Sequence, residues 1–479
     1  MQSRRDQVQA YFFVVGRLVS AVTHGKPDAL EMPNKRIRNG IVFGVLVSVL
    51  LMAIFGILGL FKPGKSTAWQ QDGSIVVNKD SGAQFVYLGG QLRPVLNYSS
   101  ARLAAGDSGG TVQSVSQQSL EGTPVGQPIG IPGAPDSIPT AQTLETGPWT
   151  VCVQPGAARP KPTDPVVTLK FGNRPGKSTS DGQGLLVSTP DNAVHLVWNG
   201  KRYKVPDQRT LDALPYGNVT PLQVSTAWLD PIPAGRDLAL PAIEGAGSPG
   251  PVIDGKPSKV GQVYEVRNPA TESDQFYLVR EDGKTALNRT SAALALASPA
   301  VQSAYPGGQV SVLQAGPTAL TSVPDSGGPD LVGGFPPVPP QAVVPPPDAQ
   351  PCARYSPSGT GDLKVTVEMQ STSEVDAGSV ALAEHVSGSM ADKISLPAGR
   401  GVLAKSLPAP GAQPGAAFLI TDTGTKYPLA DDKVVEGLGY SPTSAVQIPD
   451  ELLDLLPAGP MLTSSGAVQV QTPQPNEQP

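Results

Sequence analysis

Residues 200–235, GKRYKVPDQRTLDALPYGNVTPLQVSTAWLDPIPAG, align without a gap with residues 424–459, GTKYPLADDKVVEGLGYSPTSAVQIPDELLDLLPAG. Both stretches end in Pro-Ala-Gly, and they share two tyrosines and two aspartates. These pairs, each separated by 224 positions, are Tyr203 with Tyr427, Asp207 with Asp431, Tyr216 with Tyr440, and Asp230 with Asp454. The constant spacing indicates an internal repeat, so the fold is expected to be built from copies of one small module.

Two weaker copies surround Gly90, in FVYLGGQLRPVLNYSSARL, and Gly283, in FYLVREDGKTALNRTSAAL. In every copy an apolar run, a glycine turn and a second apolar run precede an Asn or Asp. This order predicts a β-hairpin followed by a short helix, with the Asn or Asp as the helix N-cap. The predicted caps of the four copies are Asn97, Asp207, Asn288 and Asp431. One module buries too little apolar surface alone, so the copies should pack on one another or on the segments between them.

Upstream of the repeats, residues 40–61 read GIVFGVLVSVLLMAIFGILGLF, 22 residues without a charge. That length matches the hydrocarbon core of a bilayer and predicts a transmembrane helix. A signal peptide has a shorter apolar core nearer the N-terminus, so we expect the span to be retained. Gly40, Gly44 and Ser48 form a small-residue stripe that favours packing against a neighbouring helix.

Charge sets the expected orientation of the span. Residues 1–39 carry seven basic and three acidic side chains, and the cluster NKRIR directly precedes the span. The positive-inside rule therefore places the N-terminus in the cytoplasm. The remaining residues carry 28 basic and 37 acidic side chains, which agrees with a domain on the exterior, or periplasmic, side. We expect a single-pass protein of the cell (inner) membrane, with no nucleic-acid partner.

The N-terminal segment has apolar residues at helical spacing, namely Val8, Tyr11, Phe12, Val15 and Val19. This spacing predicts an amphipathic helix that docks a cytoplasmic partner. The alternative is a helix that lies on anionic lipid, attracted by Arg4, Arg5 and Arg17.

The end of the span, GLFKPGKST, fits the P-loop pattern GxxxxGK[ST] with Gly59, Gly64, Lys65 and Ser66. A P-loop requires a buried strand that leads into the glycines and a helix that follows them. Here a membrane helix precedes the glycines, on the side without ATP, so we discount the match and predict no cofactor site. A second PGKST, at residues 175–179, lacks the first glycine and is predicted to be a turn.

Two further stretches, GDSGG at 106–110 and PDSGGP at 324–329, resemble the nucleophile loop of trypsin-like proteases. Such a serine requires a histidine base, and neither His195 nor His385 lies in a matching context. Both stretches are interpreted as turns. No cluster of His, Cys and carboxylates has metal-ligand spacing. We therefore predict no catalytic residue and no metal ligand, and enzyme activity is not expected from the residues.

The two cysteines, Cys152 in GPWTVCV and Cys352 in QPCARY, both follow the span. Oxidation is favoured on that side of the membrane, so a disulfide is the economical interpretation. The alternative is a pair of buried free thiols. A disulfide would draw residues 107–181 and 300–398 into one central domain, with the second and third repeats inserted between them.

Composition favours several small modules, because the chain has 53 Gly and 52 Pro, 39% hydrophobic residues and only 5% aromatic ones. The proline run FPPVPPQAVVPPP is interpreted as a stiff strut, and the last residues, rich in polar side chains, as disordered. The predicted divisions are a helix and basic segment at 1–39, the span at 40–61, a linker with repeat 1 at 62–106, the first stretch of the central domain at 107–181, repeat 2 at 182–240, repeat 3 at 241–299, the second stretch of the central domain with the strut at 300–398, repeat 4 at 399–462 and a tail at 463–479.

The chain resembles the EccB family, the single-span core component of the type VII (ESX) secretion membrane complex. The resemblance runs nearly end to end and is carried by SRRDQVQAYFFVVGRL, the span, FVYLGGQLRPVLNYSSARL, GPWTVC, VPDSGGPDLVGG and GRGVLAKSLPAPGAQPGAAFLITDTGTKYPLAD. It implies a mixed α/β (α+β) fold, in which one transmembrane helix precedes an elongated exterior domain. That domain would hold four lysin-like β-hairpin and helix repeats around a central domain braced by Cys152 and Cys352.

The resemblance also implies partners: the motor ATPase EccC, with EccD, EccE and further EccB copies. The expected function is a structural core subunit that anchors the export machinery and is driven by the partner ATPase. EccB proteins have also been called ATPases, and ATP would be a cofactor only if that label holds. The lysin-like repeats suggest a third possibility, a cell-wall-binding module.

Overall fold

The computed structural model describes residues 4–25, 34–61, 67–106, 110–156, 164–172, 175–268, 273–305, 307–357, 363–382, 389–409 and 411–471. Its helices are α1 (Arg4–His24), α2 (Asn34–Phe61), α3 (Tyr98–Ala104), α4 (Gln117–Leu120), α5 (Gln208–Ala213), α6 (Thr226–Leu229), α7 (Arg289–Ala297), α8 (Thr372–Asp376), α9 (Asp432–Gly437), α10 (Asp450–Leu453) and α11 (Ser464–Ala467). Short 3-10 helices occupy Ala141–Thr143, Pro299–Ala304 and Pro442–Ser444.

The strands of the first half are β1 (Ile75–Asn78), β2 (Gln84–Leu88), β3 (Gln91–Pro94), β4 (Val112–Val115), β5 (Trp149–Gln154), β6 (Val166–Phe171), β7 (Lys177–Ser178), β8 (Gln183–Ser188), β9 (Val194–Trp198), β10 (Lys201–Val205) and β11 (Leu222–Gln223). Those of the second half are β12 (Val263–Asn268), β13 (Ser273–Arg280), β14 (Gly283–Leu287), β15 (Leu313–Ala315), β16 (Gln341–Ala342), β17 (Ala349–Pro357), β18 (Leu363–Ser371), β19 (Val380–Ala381), β20 (Lys393–Ser395), β21 (Gly401–Leu407), β22 (Ala417–Thr421), β23 (Lys426–Leu429) and β24 (Val446–Pro449).

Four small sheets repeat one topology. In sheet 1, β1, β2 and β3 form an antiparallel meander, α3 follows, and β4 returns parallel to β1. Sheet 2 (β8–β11, with β16 attached to β8), sheet 3 (β12–β15) and sheet 4 (β21–β24) have the same strand order, with α5, α7 and α9 in the place of α3. The predicted hairpin is the second half of each meander. The fourth strand of each sheet, which runs parallel to the first strand, was not predicted. Strands as short as β11 and β15 have almost no alternation of apolar and polar residues.

All four predicted helix caps are confirmed. Each cap side chain accepts a hydrogen bond from the backbone N–H three residues later, at 2.8–3.0 Å, in the pairs Asn97–Ser100, Asp207–Thr210, Asn288–Ser291 and Asp431–Val434. The hydrogen bonds from Thr210 to the Asp207 carboxylate also lower the pKa of that group. One short polar side chain therefore fixes the point at which each meander turns into its helix.

The outer edge of each meander is covered by a Pro-x-Gly or Pro-x-Ser segment that runs parallel to its third strand. The prolines are Pro124, Pro233, Pro324 and Pro457, whose carbonyls accept hydrogen bonds of 2.8–2.9 Å from the N–H groups of Leu92, Arg202, Lys284 and Lys426. The residue two positions after each proline donates back to the same third-strand residue. The shared Pro-Ala-Gly therefore pairs with the third strand through an isolated bridge and shields a sheet edge, and proline is tolerated there because its carbonyl makes the contact.

Sheets 1 and 3 extend beyond the predicted module ends at residues 106 and 299, because β4 and β15 lie after them. The stretch PDSGGP, predicted as a turn, supplies the edge segment of sheet 3 through Pro324 and Ser326. The stretch PGKST at 175–179, also predicted as a turn, contributes β7, which pairs with β18. That prediction was wrong because the edge of the larger sheet provides hydrogen-bond partners that a local pattern does not show.

The central sheet has seven strands in the order β19-β20-β6-β5-β17-β18-β7. Its strands come from two stretches that flank sheets 2 and 3 in the chain, and β5 pairs antiparallel with β17 at the join. Apolar side chains of sheets 2 and 4 form one core with it, including Trp149 from β5, Trp228 from α6 and Val402 from β21.

Sheets 2 and 4 are buried on both faces. In β21, Val402 and Ala404 join the central core, whereas Leu403 between them packs with residues of sheet 1. In β8, Leu185 faces the central core, and Leu186 packs in a cluster that includes Leu294 of α7. The packing order is therefore sheet 1, sheet 4, central sheet, sheet 2, sheet 3, which explains why these strands read as continuous apolar runs.

Two terminal elements differ from their predicted limits. The helix α2 begins at Asn34, six residues before the apolar run. Lysine and arginine are good helix formers, so the basic residues before the run extend the helix. The predicted disordered tail is wrong for residues 463–471. There Thr463 caps α11, and Val470 pairs with Ile129 in an isolated bridge. Residues 472–479 lie outside the described residues.

Candidate functional site

The predicted disulfide is confirmed and lies at the centre of the molecule. Cys152 in β5 and Cys352 in β17 face each other across neighbouring strands, with a Sγ–Sγ distance of 2.05 Å. Both residues are fully buried, in contact with Val375 of α8. The bond therefore joins the two stretches of chain that make the central sheet, and its burial favours a structural role over a redox one.

Shared basic and acidic residues fix the Pro-Ala-Gly segments of sheets 2 and 4. Arg202 Nη1 lies 3.2 Å from Asp230 Oδ1, and Arg202 Nε donates to the carbonyl of Ile232. At the matching positions of sheet 4, Lys426 Nζ lies 3.0 Å from Asp454 Oδ1 and donates to a backbone carbonyl. In each module the repeated aspartate thus forms an ion pair with the basic side chain of the third strand, and this pair fixes the end of the module against that strand.

Tyr203 and Tyr427 explain why these segments end in glycine. A Cβ added to Gly235 would overlap the ring of Tyr203, and one added to Gly459 would overlap the ring of Tyr427. Glycine is therefore required for close approach of the backbone to the ring.

The second shared tyrosine holds a connecting segment against the module. Tyr216 Oη donates to the carbonyl oxygen of Pro340 at 2.7 Å, and Tyr440 Oη donates to that of Pro139 at 2.6 Å. Pro340 belongs to the proline run predicted as a strut, whose next residues form β16 on the edge of sheet 2. Burial raises the pKa of both phenols, so each hydroxyl keeps its proton and acts as a donor.

The formal P-loop match falls at the end of α2 and in the segment that follows it. Gly59 lies inside α2, while Gly64, Lys65 and Ser66 lie outside the described residues. His195 lies on β9 of sheet 2, whereas Ser326 covers the edge of sheet 3. Burial, reinforced by Arg202, lowers the pKa of His195. Within the described residues of the chain no group of three or more His, Cys, Asp or Glu residues has the arrangement of a metal site.

The proposed docking residues lie on α1, where Val8, Tyr11, Phe12 and Val15 are exposed and Val19 is half-buried. Phe13, Val14 and Leu18 are exposed as well, so apolar side chains extend beyond the predicted stripe. The span-packing residues lie on α2, and a Cβ added at Gly40 or Gly44 would meet open space. Ser48 is exposed too. Within Arg36–Ile57, an 18-residue window has a mean hydropathy of 2.7, and no residue of that window is buried by the rest of the chain.

Comparison with known proteins identifies the family. The model of the EccB family, described as "Type VII secretion system ESX-1, transport TM domain B", matches residues 1–473. The chain belongs to the EccB family. The resemblance drawn from the sequence is thereby confirmed.

Similar EccB proteins come from several mycobacterial secretion systems. The "ESX-3 secretion system ATPase EccB3" of Mycolicibacterium smegmatis is 28% identical over 488 residues, which cover 97% of this chain and 90% of the relative. The "ESX-2 secretion system ATPase EccB2" of Mycobacterium tuberculosis H37Rv is 34% identical over 291 residues, 59% of this chain and 56% of the relative.

Solved structures show the same architecture. An EccB3 dimer from the ESX-3 core complex matches with a TM-score of 0.68 and 26% identity, over 83% of this chain and 100% of that chain. A chain of an intact ESX-5 inner membrane complex matches with a TM-score of 0.68 and 23% identity, over 100% of this chain and 98% of its own length. The predicted α+β fold, with one candidate membrane helix and a disulfide-linked centre, is confirmed.

Proposed function

We propose that this EccB-family chain is a structural core subunit of a type VII secretion membrane complex. The observation that carries the proposal is the match to the EccB family over residues 1–473. The described part of the chain contains one candidate membrane helix and five packed sheets. Repeated modules around a braced centre supply length and surface, which are the properties of a scaffold. A single span cannot enclose a pore within one chain, so any channel is built with other subunits.

The orientation and the partners belong to the same proposal. The basic cluster before the span supports a cytoplasmic α1, which leaves the sheets on the periplasmic side. Energy for export then comes from a subunit with access to cytoplasmic ATP, and the family resemblance supplies EccC, with EccD and EccE as the other neighbours. Gently solubilised membranes that yield the chain together with these subunits at a fixed ratio would support the assembly. Recovery of the chain alone would contradict it.

The names of several relatives contain the word ATPase, and this gives a direct test. We expect the full-length chain, purified in detergent, to show no ATP hydrolysis that depends on Lys65 or Lys177, the lysines of the two PGKST stretches. Phosphate release is measured for the wild type, Lys65→Ala and Lys177→Ala. Hydrolysis that is present in the wild type and disappears in either variant would overturn the scaffold proposal, whereas a rate unchanged in both would indicate contamination or an unrelated site.

Cell-wall binding is the remaining alternative and is tested separately. The lysin-like repeats motivate it, so the full-length chain in detergent is incubated with insoluble peptidoglycan and sedimented. Retention of the chain on peptidoglycan without other membrane subunits would favour a wall-binding module.

Docking through α1 is tested by two matched double variants. Phe12→Asp with Val15→Asp places charges on the predicted stripe, and we expect recovery of the partner subunits to fall about tenfold, as one or two lost apolar contacts would give. The control, Phe13→Asp with Val14→Asp, alters neighbouring exposed residues that lie off that stripe. Recovery is measured by affinity purification from membranes.

The same variants separate docking on protein from binding to lipid. Binding to anionic vesicles is measured in parallel, since Arg4, Arg5 and Arg17 suit a lipid surface. If the complex survives in the stripe variant while vesicle binding is lost, α1 lies on lipid and the docking proposal is wrong.

A further inference from the structure

A small pocket of about 230 Å³ lies where the helices of sheets 1 and 4 meet. The helix α3 supplies Tyr98 and Arg102, which are four residues apart and therefore lie on one face of the helix. Sheet 4 supplies Tyr440, and residues 138–142 form the remaining wall. The volume is below that of a site for a drug-sized ligand, so the pocket suits a group of a few heavy atoms.

Arg102 brings an unpaired charge into this pocket. The residue is half-buried, and among the described residues its side chain makes no ion pair and no hydrogen bond. Its Nε is buried, whereas Nη1 and Nη2 are accessible. Gly439 leaves room for the guanidinium, since a Cβ there would lie 2.5 Å from Nη2. A charged group that is partly removed from water normally has a counter-ion, as Arg202 has in Asp230.

Tyr98 adds a second donor to the same pocket. Its hydroxyl is accessible and has no hydrogen-bond partner among the described residues. The hydroxyl of Tyr440 is already engaged by the Pro139 carbonyl. Burial raises the pKa of Tyr440, while the charge of Arg102 opposes this rise and Tyr98 adds to it, so both side chains lie near that phenol. The pocket thus holds two unused donors, one of them positively charged.

The packing of the modules does not account for the arginine. The helices α5 and α7 of sheets 2 and 3 pack against each other as α9 and α3 do. There Ala293 takes the place of Arg102, since each lies five residues after its helix cap. Tyr216 nevertheless donates to the Pro340 carbonyl, as Tyr440 does to Pro139. The buried contact between tyrosine and proline therefore forms without a cation beside it.

We infer that this pocket binds a carboxylate, which accepts hydrogen bonds from Nη1 and Nη2 of Arg102 and from Tyr98 Oη. Two parallel hydrogen bonds from the Nη atoms need nothing from the buried Nε. The other residues that line the pocket are uncharged, so one negative charge is balanced and a phosphate dianion is not. Ile138 and Leu438 provide apolar walls for the carbon stem of the ligand.

Two sources offer this chemistry, a free small acid and the acidic side chain of another polypeptide. Both present a carboxylate on a short apolar stem, which is the size that the pocket admits. The site is complete within one chain. The inference therefore holds whether or not the proposed membrane complex assembles.

The probe is modification of arginine by 2,3-butanedione in the full-length chain in detergent, quantified at each arginine by peptide mass spectrometry. We expect Arg102 to react in the free chain and to be protected by succinate in a saturable manner. Sodium chloride at the same ionic strength should give no protection. Arg209, which is exposed on sheet 2, should react at the same rate with and without the acid.

Peptides distinguish the two sources of the carboxylate. Blocked Ala-Glu-Ala is compared with blocked Ala-Gln-Ala, which has the same shape without the charge. Protection by the Glu peptide at lower concentration than by succinate assigns the site to a polypeptide, and the reverse order assigns it to a free acid. Equal protection by the Glu and Gln peptides would overturn the inference, as would stronger protection by inorganic phosphate than by succinate.

Tyr98→Phe removes only the second donor. We expect the succinate concentration for half-protection of Arg102 to rise about fivefold, as the loss of one hydrogen bond would give. The control Tyr277→Phe removes an exposed hydroxyl of sheet 3 and should behave like the wild type. An Arg102 that does not react in the free chain, or an unchanged half-protection concentration in Tyr98→Phe, would contradict the inference.

Thermal unfolding tests whether Arg102 serves the fold instead. Succinate should raise the unfolding temperature of the wild type and of Lys79→Met, which removes an exposed charge from the same sheet, but not that of Arg102→Met. Without the acid, Arg102→Met should unfold at the wild-type temperature or above it, because no ion pair is lost. A lower unfolding temperature of Arg102→Met without acid, or an equal response of all three chains to succinate, would overturn the inference.

Discussion

Removing the disulfide, in the variant Cys152→Ala with Cys352→Ala, is expected to lower the unfolding temperature by about 10 °C. The bond closes a loop between positions 200 residues apart. In chain-entropy treatments such a loop contributes about 4–5 kcal/mol, and each kcal/mol corresponds to about 2–4 °C for a unit of 150–250 residues. The chain between the two cysteines contains sheets 2 and 3, so without the bond protease cleavage between those repeats should also increase.

A control separates the lost cross-link from lost packing. Val153→Ala removes buried volume one residue from Cys152 on β5 and leaves the bond intact. Both variants should lower the denaturant midpoint. Only the cysteine variant should increase the slope of unfolding free energy against denaturant, since its unfolded chain exposes more surface. Two thiols labelled in the native wild-type chain, or an unchanged unfolding temperature in the cysteine variant, would contradict the prediction.

The sequence predicts well those features of the fold that depend on the types of a few neighbouring residues. An uncharged run of bilayer length, an Asn or Asp before a short apolar helix, and two cysteines on one side of a membrane each have few physical solutions. All three predictions are confirmed as an apolar helix, four caps and one disulfide.

The features that sequence missed depend on long-range pairing. The return strands are as short as two residues and exist because β8 provides hydrogen-bond partners for β11. The alignment of the repeats showed Pro-Ala-Gly as an identity at 233–235 and 457–459. It did not show that these residues cover a sheet edge, because a proline in a turn and a proline at a sheet edge have the same local sequence pattern. The distance from the helix cap to the edge proline is the same only in sheets 2 and 4, from Asp207 to Pro233 and from Asp431 to Pro457, where the repeat is strongest.

The site was harder to predict than the fold. Tyr216 and Tyr440 could be paired by the repeat, yet their acceptors, Pro340 and Pro139, lie 124 and 301 residues away in the chain. A cleft lined by Tyr355 draws its walls from six separate segments of the chain, which share no sequence pattern. Such sites become visible only when packing brings the segments together.

Gly200→Ala is expected to lower the free energy of unfolding by about 2–5 kcal/mol. Alanine would have to adopt a left-handed backbone conformation, and its Cβ would overlap a neighbouring strand. Asn199 and Gly200 form the two-residue turn between β9 and β10, with φ of 47° and 70°. This Asn-Gly turn suits the twist of a tight hairpin. A Cβ on residue 200 would in addition overlap the carbonyl oxygen of Val365 on β18. The hairpin of sheet 2 must then move away from the central sheet or distort it.

Gly82→Ala is the matched control for this prediction. Gly82 has a similar φ of 73°, but a Cβ there meets nothing within 4 Å. It should show only the backbone penalty of about 1–2 kcal/mol, so the difference between the two variants measures the contact between Gly200 and β18. Urea unfolding followed by tryptophan fluorescence reports it directly, because Trp149 and Trp228 lie in the core that joins the central sheet to sheet 2. Equal midpoints for the two variants would show that sheet 2 does not press on the central sheet at Val365.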